Sequence, residues 1–152
     1  MTQTRWLSAA ALPLLMFAAT VPNLSGTWKL NLEKSQWGKK EKPTSVIVKI
    51  EHNDPAWKYT GTVIQPNGEQ KSFSFDGAID GKERDAISAY GPGKMRINRV
   101  NRFTTVSTFH TNDGRFTETA RTTSTDGQVM TRRMHLKSPG GDVSWVEVYD
   151  KQ

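Results

Sequence analysis

Apolar and polar residues alternate along most of this chain with a period of two. The pattern opens at Leu24-Ser25-Gly26-Thr27-Trp28-Lys29-Leu30-Asn31-Leu32. Trp28, Leu30 and Leu32 fall on one side and Thr27, Lys29 and Asn31 on the other, as in a half-buried β-strand. Gly26 leaves the backbone room to turn as the strand begins. A large indole arriving first predicts that Trp28 plugs one end of the core. Alternation resumes at 45–52, where Val46, Val48, Ile50 and His52 share a face, and at 57–65, where Trp57, Tyr59, Gly61 and Val63 do. Gly61 in mid-strand predicts a bend or bulge.

Turn chemistry separates the later runs. Pro66-Asn67-Gly68-Glu69 predicts a hairpin into a strand at 70–76 carrying Phe73 and Phe75. A polar loop over 77–84 leads to a short strand at 85–90, which Gly91-Pro92-Gly93 is expected to break. Strands follow at 94–100, 103–111, 115–123, 128–136 and 143–149. Asp113-Gly114 and Asp126-Gly127 serve as turns, and 138–142 forms a last loop. The charged connector over 33–43 has room for one helical turn and none for a helix pair. No segment after residue 22 keeps a helical period. Sequential hairpins at this spacing predict an all-β chain, a single antiparallel up-and-down barrel of 8–10 strands, because closure removes the exposed sheet edges.

Composition narrows the chemistry. The 152 residues suffice for one domain, and the absence of cysteine excludes disulfides, thiol catalysis and cysteine-held metal. Residues 1–22 read as a secretory signal: Arg5 is followed by an apolar run and then by the small residues Ala18, Ala19 and Thr20. The run is shorter than the ~20 residues of a membrane span. The expectation is export to the periplasm or beyond, with a domain over 23–152. The net charge of +6 is scattered apart from Lys39, Lys40 and Lys42, and scattered charge does not predict nucleic-acid binding. His52, His110 and His135 lack metal-site spacing and are expected at the surface or rim. No serine sits in a nucleophile elbow. Asp76 with Asp80 and Glu83 with Asp85 read as turn residues. No enzyme, metal or cofactor is predicted.

Gly26-Thr27-Trp28 resembles the Gly-x-Trp that starts the first strand of lipocalins and other calycins. Segments 23–31, 75–82, 124–131 and 146–149 are similar to small, secreted, lipocalin-like bacterial proteins. The resemblance implies a late-strand arginine lying across Trp28. Arg132 or Arg133, in Met130-Thr131-Arg132-Arg133-Met134, would fill that place. Alternation turns Arg132 inward beside Met130, Met134 and Leu136, so Arg132 is the first choice. Inside the barrel it either caps Trp28 as a cation–π partner or holds an anionic head group whose tail lies against methionine and phenylalanine. The candidate ligand-binding set is Trp28, Tyr59, Phe73, Met130, Arg132 and Met134. It predicts a small hydrophobic or anionic amphipathic ligand. The alternative is a barrel packed solid by its aromatics, acting at the cell envelope through its basic surface.

Overall fold

The computed structural model describes residues 20–152, so nearly all of the predicted leader lies outside the described residues. Ten strands follow one another: β1 (Gly26–Leu30), β2 (Ser45–Asn53), β3 (Ala56–Ile64), β4 (Gln70–Ala78), β5 (Arg84–Ser88), β6 (Gly91–Asn101), β7 (Thr104–Thr111), β8 (Thr117–Thr123), β9 (Val129–Ser138) and β10 (Gly141–Lys151). Each pairs antiparallel with its neighbours in sequence, and β1 pairs with β10, so the meander closes into a barrel. This is the all-β, up-and-down architecture that alternation predicts.

Side-chain parity explains the core. On β2, Val46, Val48, Ile50 and His52 are buried while Ile47, Lys49 and Glu51 face solvent. On β9, Met130, Met134 and Leu136 are buried and Arg133 is exposed. Trp28 is fully buried. Its indole Nε1–H donates to the Leu24 carbonyl at 2.9 Å, which satisfies the ring's one polar group at the barrel's closed end. Gly26 has φ +137°, a conformation that admits few other residues.

Several local expectations change. Gly61 forms no bulge, since β3 stays in continuous register with β2 and β4. It is glycine because a Cβ there would overlap the Phe73 ring from the facing strand. Gly91-Pro92-Gly93 does not break the sheet. It opens β6 and pairs with Ser88, Ile87 and Ala86 of β5. The 77–84 stretch is not wholly a polar loop, because β4 runs to Ala78 and Ile79 is buried. The last loop contracts to a two-residue turn at Pro139-Gly140, with Ser138 opposite Gly141. In the 33–43 connector one backbone bond, Ser35 N–H to Asn31 C=O at 3.2 Å, closes a single turn of helical spacing.

His52 is buried, not at the rim. Its Nδ1 accepts from the Leu24 N–H at 3.2 Å, so Nε2 carries the proton and donates to Asp54 Oδ1 at 3.2 Å. Asp54 also binds Arg99. His52 therefore pins the segment before β1 onto the β2–β3 turn. His110 and His135 stay partly exposed, beside Glu83 and Asp142 respectively.

The meander sorts its connections. The β2–β3, β4–β5, β6–β7 and β8–β9 turns lie at the Trp28 end. The β1–β2 connector and the β3–β4, β5–β6, β7–β8 and β9–β10 turns lie at the other. That second end holds the mouth of the interior. Among the described residues, no helix is long and apolar enough to cross a membrane.

Candidate functional site: a cavity inside the barrel

A cavity of about 170 Å³ occupies the barrel, and its walls come from most of the strands. Its apolar lining includes Met95, Phe109, Met130 and Met134. Trp37 and Lys40 of the connector and Tyr90 of the β5–β6 turn lie over its mouth. Lys40 Nζ stands 5.9 Å from the Tyr90 ring centre and 5.3 Å from that of Trp145, within range of a cation–π attraction. Tyr90 in turn stacks on Phe116 at 4.9 Å. Trp37 Nε1 is buried with no hydrogen-bond partner, which makes the connector costly to hold in this position.

The expected ligand set separates into two groups. Tyr59, Phe73, Met130, Arg132 and Met134 all line the cavity. Trp28 does not; it packs below, in the cluster that contains Val48, Met130 and Tyr149. Nor does Arg132 lie across it. The cation over Trp28 is Lys151, its register partner on β10, with Nζ 5.7 Å from the ring centre. Arg132 goes instead to Glu147: Nη1 approaches Oε2 at 3.3 Å. The reason is register, since Glu147 stands directly opposite Arg132 on the β9–β10 hairpin. A half-buried guanidinium takes the nearest carboxylate in preference to an aromatic face.

Glu147 is the hub of a polar network that the sequence reading misses. Oε1 accepts from Trp145 Nε1 at 2.8 Å, and Oε2 accepts from the Tyr149 hydroxyl at 2.9 Å as well as from Arg132. Trp145, Glu147 and Tyr149 alternate inward along β10, so one strand supplies an acceptor and two of its donors. Burial opposes the Arg132 charge, but Glu147, Tyr149, Glu118 and Tyr59 outweigh it and raise the arginine's pKa. Burial likewise raises Tyr149 and pushes the Tyr59 phenol up to about 12. Tyr59 donates to Met95 Sδ at 3.6 Å.

Glu118 on β8 completes the interior. It sits opposite Phe109 and Leu136, two buried residues, and lines the cavity. Burial pushes its carboxyl up to about 7; Arg132 lowers it, Glu147 raises it and Lys40 lowers it, and no hydrogen bond contributes. Sequence reading overlooks it because β8 (Thr117–Thr123) carries polar residues on both faces. The available signal is parity with Phe116 and Ala120.

A pH dependence follows from Glu118. The folded carboxyl keeps its proton to about pH 7, whereas a free one releases it near 4.5. Between those values the folded state binds more protons, so stability falls as pH rises and the penalty is complete above about 7. Glu118→Gln should therefore stabilise the protein at pH 8, by about 1–3 kcal/mol given the water admitted to the cavity, and should flatten the decline between pH 5 and 8. Urea titrations across that range check this.

Among the described residues, no group of three or more His, Asp or Glu side chains is placed to hold a metal. No protein-family model matches the chain. No curated protein sequence matches it either. Solved structures do match in fold. A Schistosoma mansoni fatty acid binding protein in complex with arachidonic acid is 17% identical, with a TM-score of 0.57 over 88% of this chain and 99% of that one. As-p18, an extracellular fatty acid binding protein, is 17% identical with a TM-score of 0.62 over 88% and 100%. A zebrafish ileal bile acid-binding protein complexed with cholic acid is 15% identical with a TM-score of 0.53 over 84% and 98%. The chain is a closed ten-stranded antiparallel β-barrel, and at these identities its likeness to the fatty-acid- and bile-acid-binding structures is one of fold.

Proposed function

We propose that this chain is an exported lipocalin-like binding protein that holds a small apolar or amphipathic molecule inside its barrel. The observation that carries this reading is the cavity itself, an apolar interior furnished with a few convergent polar groups. The three similar structures described above are binding proteins whose names specify fatty acids and a bile acid, which agrees with a ligand in the barrel. Export to the periplasm or beyond rests on the leader at 1–22 and on nothing else.

Size bounds the ligand. At about 170 Å³ the cavity falls below the ~300–1,000 Å³ that encloses a drug-sized molecule. It is close to the ~150 Å³ apolar cavity that holds benzene. A short chain or a single ring fits, with Tyr59, Phe73, Met130 and Met134 as its contacts. Charge bounds it too. Arg132 alone suggests an anionic head group, but Glu147 and Glu118 flank it. Another carboxylate would add to a site that already has two.

The solid-barrel alternative, acting through its basic surface, makes the opposite prediction. Protein purified natively from its host should release a small molecule on denaturation, seen by mass spectrometry. A Ser107→Phe variant, which fills the cavity from β7, should release none. Bare protein in both preparations would favour the solid barrel.

A further inference from the structure

Among the described residues, Glu118 is an interior carboxylate of the cavity with no hydrogen-bond or ion-pair partner. Glu147 accepts from Trp145, Tyr149 and Arg132. Tyr59 is spent on Met95. Glu118 receives no hydrogen bond and no cation within salt-bridge distance, yet it faces an interior lined by methionine and aromatic rings. Glu118 is half-buried, and the water that enters the cavity solvates it less fully than bulk solvent does, at a cost that rises when it is charged. A ligand that donates to it recovers that cost on binding.

The mouth adds a second observation. The protein's own ammonium, Lys40 Nζ, rests over the Tyr90 and Trp145 rings and is not drawn onto Glu118. The aromatic rim therefore already accommodates an alkylammonium, and the Glu118 carboxylate on the cavity wall remains free for another. The lining contains one guanidinium, Arg132, and three carboxylates, Glu41 at the exposed mouth, Glu118 and Glu147, and the guanidinium is engaged by Glu147.

From this geometry we infer that the ligand's polar end is a protonated amine, bound by Glu118 with its short apolar tail among Met95, Phe109 and Met134. The inference rests on the barrel-binding reading above and sharpens its ligand class. In binding, the ammonium donates to a Glu118 oxygen and no bond is made or broken. Where Glu118 is protonated before binding, that proton leaves to solvent. The groups that face Glu118 are Arg132 from β9, Glu147 from β10, Lys40 from the connector, Tyr59 from β3 and Tyr90 from the β5–β6 turn. From β7, Phe109 stands opposite it and presents no titratable group.

The test is calorimetric titration of the full chain with n-hexylamine, 1-hexanol and hexanoate, which share one tail. At pH 8 hexylamine should bind at least about tenfold tighter than hexanol, a difference of ~1.4 kcal/mol, and hexanoate should be the weakest. In Glu118→Gln the amine-over-alcohol ratio should collapse towards one. This variant removes a buried charge and is expected to fold. Wild-type hexylamine affinity should rise severalfold from pH 6 to pH 8 while hexanol stays flat. If all three bind alike, or if the amine preference survives in Glu118→Gln, the amine assignment is overturned and the binding reading stands. If none of the three binds wild-type protein, the binding reading itself is overturned and the assignment goes with it.

Discussion

Trp28→Ala should lower the unfolding free energy by about 3–5 kcal/mol, the largest loss expected from one side chain in this protein. Trp28 is fully buried and packs in the cluster that holds the first, second and last strands together. Removing it leaves a void at the barrel's closing seam, where β1 meets only three residues of β10. The substitution also frees the Leu24 carbonyl, which loses the indole donor. Unfolding in urea, followed by circular dichroism, reads the change. Because the cavity lies above this cluster, a change of less than 1 kcal/mol would mean that Trp28 is not the plug of the closed end.

Arg132→Met should cost about 2–4 kcal/mol, for a reason different from the one that Gly-x-Trp suggests. The loss is not a cap on Trp28, since Lys151 covers that ring. It is the stranding of Glu147, whose side chain is only 12% exposed and would be left with two neutral donors. Breaking one side of a buried pair is expensive because the other charge stays behind. Adding Glu147→Gln to the same chain should recover about half of the loss. The amide oxygen still accepts from Trp145 or Tyr149, though not well from both. Urea titrations of the two single variants and the double variant measure the coupling. An Arg132→Met chain as stable as wild type would remove the ion pair from the account.

These two residues mark how far the sequence can be read. Burial and facing follow from parity, so Trp28, Val46, Val48, Ile50, Met130, Met134 and the inward turn of Arg132 are legible from alternation alone. Closure follows from the run of hairpins. Partners are harder, because they depend on register, and register depends on where each turn sits. The β9–β10 loop reads as five residues, 138–142, which leaves the pairing of the two strands open. Contracted to Pro139-Gly140, it sets Ser138 opposite Gly141 and carries Arg132 to Glu147. Likewise a last strand ended at Tyr149 hides Lys151, the residue opposite Trp28. Gly61 shows another limit: its lack of a side chain is legible, but its cause, the Phe73 ring across the sheet, appears only once β3 and β4 are paired. Glu118 escapes because threonine-rich β8 carries no hydrophobic alternation to assign its face.

The cavity also reshapes what the candidate residues can do. Tyr59, Phe73, Met130 and Met134, the expected apolar contacts, all reach the interior. Methionine from two strands, Met95 on β6 and Met130 and Met134 on β9, suits a lining that adjusts to ligand shape. The polar groups do not behave as a single anion-binding arginine. They form a saturated centre at Glu147 and a free acceptor at Glu118, and this division sets the expected ligand chemistry.

Whether the barrel interior takes a small molecule is read from a crystal of the full chain soaked in 1-hexanol. Continuous density for the hexyl chain is expected between Met95, Phe109 and Met134, with its hydroxyl towards Glu118 and the Arg132–Glu147 pair undisturbed. A cavity that remains filled by side chains or holds only water, with hexanol bound on the outer face or nowhere, would contradict interior binding.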